Sequence, residues 1–181
     1  GPHSMEMMRR ILLYALVIGS LAPGCDRAQE PLSPPIHLGE KQAPLITCDE
    51  ELVTTVVQGF EKPIALVSHH GIPLSPSTSN ALYAMQQEAE ADGVNIELLM
   101  GFLDHALLET LFDCGPEGTC QCNACNVTPY PGYSPHQAGT AIALRVDPPH
   151  VLDWLEEHAG DYGFTKPFVG APWNWIHDEQ T

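Results

Sequence analysis

Positive charge is the scarcest thing in this chain. Its 181 residues hold seven Lys and Arg against 23 Asp and Glu, a formal charge of −16. A surface this acidic does not attract nucleic acid or an anionic lipid headgroup without a dedicated site. Long apolar runs are missing too. The run Ile11 to Ala22 is about a dozen residues, and a bilayer-spanning helix takes ~20. There is no internal repeat, and the length suits one ordinary domain preceded by a leader.

The leader has parts. Residues 1–5, GPHSM, read as the remnant of an expression tag. In residues 6–25, Arg9 and Arg10 precede the apolar run, and Leu21-Ala22-Pro23-Gly24-Cys25 follows it. A basic start, a short apolar stretch and small residues at the end make a secretory signal. The end resembles a bacterial lipobox, which makes Cys25 the lipidation candidate; ordinary cleavage after Gly24 is the alternative. A lipid at Cys25 would be the only membrane attachment, in a bacterial envelope and on its periplasmic side. Residues 26–47 carry Pro31, Pro34, Pro35 and Pro44 with no apolar period and read as a tether to a domain over 48–181.

Within that domain the apolar periods alternate between helix and strand. Asp49 caps a short helix from Glu50 to about Gln58, with Leu52, Val53, Val56 and Val57 on one face. Ile64 to Ser68 is a strand and His69 to Leu74 a turn. A helix capped by Ser77 or Ser79 runs to about Asp92, where Gly93 ends it. Val94 to Met100 is a strand, and Asp104 caps a helix through Phe112. Ala141 to Val146 is a strand, Pro149 to Ala159 a helix, and Trp173 to His177 the last strand. The sum is an α+β fold, a small, mostly antiparallel sheet with helices packed on one side. Trp173 is expected in its core, and Trp175 is left open between core and cleft.

Two stretches carry the chemistry. One is Tyr130 to Leu144, YPGYSPHQAGTAIAL; the other is Ala171 to His177, APWNWIH. Together they resemble the M15 (VanY-like) zinc D,D-carboxypeptidases, with the signature S-x-H-x-x-G-x-A-x-D followed by E-P-W-H. Ser134, His136, Gly139 and Ala141 match the first motif, and Pro172 and Trp173 match the second. The resemblance runs from about His70 to His177. It implies the M15/hedgehog-like D,D-peptidase fold and a zinc site that acts on peptidoglycan stems. It also implies which positions should carry that chemistry. The zinc-binding Asp falls on Ala143, the catalytic Glu on Ala171 and the third ligand, a His, on Asn174. The Arg that grips the substrate carboxylate falls on Leu103. His136 alone keeps its family identity.

A zinc hydrolase needs three ligands, an open fourth position and a base. Ala143 and Ala171 offer no lone pair, and an amide oxygen from Asn174 is a poor zinc ligand beside imidazole. No metal and no cofactor are therefore expected at this position. A relocated site could draw only on spare groups such as His69 and His70, and His177 faces away from Asn174 on a strand. His69, His70, Tyr133, Ser134, His136 and Trp175 are the candidates for a binding cleft. Cys48, Cys114, Cys120, Cys122 and Cys125 remain; the cluster from Cys114 to Cys125 fits disulfides in an exported protein, or a structural zinc knot.

These readings imply a non-catalytic relative in the cell envelope that binds peptidoglycan or a protein partner in wall remodelling. The alternatives are an active peptidase with a rebuilt metal site, and a purely structural envelope protein with a filled cleft.

Overall fold

The computed structural model describes residues 49–112, 129–167 and 170–179. The leader with Cys25, the tether, and Cys48, Cys114, Cys120, Cys122 and Cys125 lie outside the described residues. Among the described residues no helix is long and apolar enough to cross a membrane.

The first element is a strand, where the sequence suggested a helix. β1 (Glu51–Val57) pairs antiparallel with β2 (Phe60–His69), Leu52 opposite Ala65 and Val57 opposite Phe60. The spacing of Leu52, Val53, Val56 and Val57 does suit a helix. Yet Val53 to Val57 is an unbroken β-branched run, which loses side-chain freedom in a helix and packs well on a pleated surface. Gln58 and Gly59, both with positive φ, supply the two-residue hairpin turn. A second such turn, His70-Gly71, adds β3 (Ile72–Leu74) to β2.

Helix α1 (Pro76–Ala91) starts two to four residues earlier than the serine candidates suggested. Ser75 is its cap, its Oγ accepting from Thr78 N at 3.3 Å, and Pro76 opens it without a missing donor. Then come β4 (Leu98–Met100) and α2 (His105–Phe112), the latter capped by Asp104, whose Oδ1 accepts from Leu107 N at 2.7 Å. A short 3-10 helix (Pro135–Ala138) leads into β5 (Ala141–Leu144). Helix α3 (His150–His158), β6 (Phe164–Thr165) and β7 (Asn174–His177) complete the order.

The strands form two antiparallel sheets rather than one: β1-β2-β3 and β4-β5-β7-β6. They meet where Phe102 N donates to Pro73 O at 2.8 Å. Gly101 makes that approach feasible, since a Cβ there would lie 2.4 Å from Pro73 O.

Alternation along β5 and β7 creates two faces. Ile142 sits opposite Trp175, and with Leu144 they meet Leu82, Met85 and Ala89 of α1 and Val151, Trp154 and Leu155 of α3 in one core. Each large side chain buried there contributes about 1.5–3 kcal/mol relative to exposure. The tryptophan expectation is corrected here. Trp175 is in the core, 3 % exposed, because it shares a face with Ile142. Trp173 precedes β7 in a turn and is only half-buried, although its carbonyl accepts from Leu144 N at 2.8 Å. The opposite face carries Ala141, Ala143 and Asn174.

Candidate functional site

His136 owes its place to local rules. Ser134 Oγ accepts from His136 N at 3.3 Å, Pro135 opens the 3-10 turn, and Gly139 ends it in the left-handed region, φ 74°. A Cβ on Gly139 would lie 2.8 Å from Ser75 N, which instead donates to Gly139 O at 3.0 Å. The turn bearing His136 is thereby fastened to the start of α1.

The imidazole is buried and has one defined tautomer. Its Nδ1 lies 2.7 Å from Gly101 O. A carbonyl only accepts, so Nδ1 carries the proton and Nε2 holds the lone pair. Burial pushes the His136 pKa down, while the Gly101 carbonyl and the Asn174 side chain act in the opposite sense.

The five positions that the resemblance singles out converge. Leu103 N donates to His136 O at 3.1 Å. The Asn174 side chain meets the His136 ring. Asn174 pairs across the ladder with Ala143, and its N–H donates to Ala171 O at 3.0 Å. All five are buried, Ala143 and Ala171 to 1 % exposure or less. The site thus holds one imidazole, one amide and three aliphatic side chains. Ser134 is buried at the cap, and Tyr133 stands exposed at the rim.

Three cleft candidates do not join them. His69 turns into α1: Nδ1 is 3.0 Å from Ser79 Oγ and Nε2 2.9 Å from Gln86 Oε1. Gln86 Nε2 donates to Ile96 O, so its oxygen faces the histidine, Nε2 must donate and Nδ1 accepts from Ser79. Both nitrogens are therefore used by the scaffold. His70 is exposed at the β2–β3 turn and lines a separate groove of about 740 Å³ with Tyr83, Gln86 and Glu90, which none of the five positions reaches. Trp175 is core. His177, on the face of β7 opposite Asn174, has Nδ1 3.3 Å from Thr78 Oγ1. Among the described residues no three His, Cys, Asp or Glu group together to hold a metal.

Gln137 escaped the sequence reading. It is fully buried, its Oε1 accepting from Gly132 N and its Nε2 donating to His105 Nδ1 at 3.0 Å. It ties the His136 turn to α2 and to the Tyr130–Tyr133 turn. The sole hint was a long polar side chain between Pro135 and the small residues Ala138 and Gly139.

Residues 71–175 match the family model VanY, D-alanyl-D-alanine carboxypeptidase. The chain belongs to this family. Solved structures of similar fold include a mutant of the vancomycin-resistance D,D-pentapeptidase VanY in complex with Zn(II), at 22% identity and TM-score 0.54 over 68% of this chain and 85% of that one. VanYB in complex with D-alanine-D-alanine aligns at 22% identity and TM-score 0.56, over 68% of this chain and 84% of that one. The LD-carboxypeptidase LdcB, whose structure addresses peptidoglycan recognition, aligns at 21% and 0.51, over 70% and 67%. No curated protein sequence matches the chain.

The zinc implied by the resemblance does not fit the donors at this position. Structural and catalytic zinc sites take at least three side chains from His, Cys, Asp and Glu. Here His136 is the single such group among the five, and Ala143 and Ala171 carry no donor atom in their side chains.

Proposed function

We propose that this chain is a non-catalytic member of the VanY family that binds peptidoglycan in the bacterial envelope. The observation that supports it is Ala143 standing opposite Asn174 beside a buried His136. The family scaffold is kept, and the groups for activating water are replaced by aliphatic side chains. With the base, two ligands and the carboxylate-gripping Arg replaced together, hydrolysis has no group to proceed through. The same reading takes residues 48–181 as the binding domain and the leader with Cys25 as its route to the envelope.

A protein partner in wall remodelling is the second reading. Leu103 favours it, since an aliphatic side chain cannot hold the terminal carboxylate of a stem peptide.

Three measurements on the purified protein test the proposal. Metal content should fall well below one equivalent, D-Ala-D-Ala peptides should stay intact at high protein concentration, and the protein should be retained on purified sacculi above a charge-matched acidic control. Chelator-sensitive cleavage with stoichiometric metal would establish a rebuilt enzyme instead. Loss of sacculus retention would leave the protein-partner reading.

A further inference from the structure

Three aromatic rings stand out of the surface beside the site. Phe60 is 75%, Tyr130 72% and Tyr133 63% exposed. They come from two turns that are locked together. Gly59 N, in the β1–β2 turn, donates to Gly132 O at 3.1 Å. The hydroxyl end of Tyr133 rests on the same glycine, where a Cβ would lie 2.9 Å from Oη. Tyr133 N donates to Tyr130 O at 2.9 Å, and Gln137 holds Gly132 N from below. The Phe112 ring lies 5.8 Å from that of Tyr130. The next residue after Tyr133 is Ser134, the cap of the His136 turn, so Tyr133 adjoins that turn.

Exposed rings on a fixed frame mark a contact surface, and the charges around them narrow what it contacts. Among the described residues Arg145 is engaged by Glu97 and Lys166 by Glu156, which leaves Lys62 on β2 as the cation closest in sequence to Phe60. Lys62 shares a face of β2 with Phe60 while Glu61 points to the other, the chain as a whole carries −16, and Leu103 stands where the resemblance puts a carboxylate-binding Arg. A peptide's terminal carboxylate meets a net-acidic chain with one flexible ammonium and no guanidinium fork to grip it. An uncharged sugar ring needs no such partner. Its apolar C–H face stacks on an aromatic face, and its hydroxyls reach the phenol groups.

We propose that Phe60, Tyr130 and Tyr133 form a stacking platform for uncharged pyranose rings, so that the chain recognises the glycan strand rather than the peptide stem. This rests on the peptidoglycan-binding reading and says which part of the polymer is held.

The test is calorimetric titration of the full chain with a soluble β-1,4-linked N-acetylglucosamine tetramer, alongside a free stem pentapeptide and sacculus retention. Tyr130→Ala, Tyr133→Ala and, as a control at the far end of β1, Leu52→Ala are compared after circular dichroism verifies their folds. The tetramer should bind saturably and the pentapeptide should not. Each tyrosine variant should weaken tetramer binding about three- to tenfold, and Leu52→Ala should leave it unchanged. No tetramer binding, or binding indifferent to both tyrosines, overturns the platform. If sacculus retention persists in that case, the peptidoglycan reading survives without it. Tyrosine-dependent tetramer binding without sacculus retention supports the platform and rejects the wall as its target. Tyrosine-dependent capture of a protein with no tetramer binding overturns the sugar assignment.

Discussion

Ala143 of β5 lies directly across the ladder from Asn174 of β7, and both face the imidazole side of the sheet. The sequence resemblance assigns these two positions to a carboxylate and a histidine, and the backbone juxtaposes them with His136. Putting the donors back should therefore restore a metal site. Ala143→Asp, Ala171→Glu and Asn174→His together are expected to take up about one equivalent of zinc, the complement of a three-ligand site. Without metal the variant should be less stable by about 1–3 kcal/mol for each buried polar group left unsatisfied. Thermal denaturation with and without zinc reads both effects. A triple variant that folds but takes up no zinc would mean that the frame itself has shifted.

Acid should weaken the fold through three buried histidines. Burial lowers the pKa of His69, His136 and His177 below the ordinary 6.5, with Gln86, Gly101 and the acidic pair Asp178 and Glu179 respectively opposing it. For a lowered histidine the folded chain holds fewer protons than the unfolded one near pH 6. Stability is then full above the unfolded value of 6.5 and declines as pH falls below it toward the folded values. Urea midpoints between pH 7.5 and 5 should fall accordingly, and His69→Gln should flatten the slope. A midpoint that rises on acidification would contradict the assignment of these rings as neutral.

Gly139→Ala should destabilise by about 2 kcal/mol or more. The left-handed backbone costs an L-residue about 1–2 kcal/mol, and the new methyl meets Ser75 N as well. Chemical denaturation measures it. Gly160→Ala, at an open position, is the control and should stay within about 0.5 kcal/mol.

The two tryptophans beside Asn174 should behave differently. Trp175→Ala removes a core side chain and should cost about 3–5 kcal/mol. Trp173→Ala removes a half-buried one and should cost clearly less. Equal losses would mean that the register of β7 against β5 is wrong.

These contrasts also mark what the sequence could reveal. The α+β class and the path through His136 were legible because short motifs with Gly139 and Pro135 fix backbone geometry locally. The fate of the tryptophans was not, because it depends on which residue of β5 stands across the ladder. β1 misled because its apolar spacing suits a helix, whereas its β-branched run and the Gln58-Gly59 turn favour the strand. Gln137 was hidden for a related reason. Its partners, Gly132 and His105, come from a turn and a helix that only the folded chain brings together. His69 was visible as a histidine, but its engagement by Ser79 and Gln86 was not.

The two faces of the β5–β7 ladder have a consequence for how such a chain diverges. Ile142, Leu144 and Trp175 hold the domain together from one side, and Ala143 and Asn174 look out from the other. Substitutions on the second side therefore leave the packing of the first in place. They are still buried, Ala143 at 1 % and Asn174 at 6 % exposure, so each must satisfy whatever donor or acceptor it brings in. Change at such a position is free of the main core but not free of cost, and the residues that can follow one another there are those that leave no polar atom unpaired.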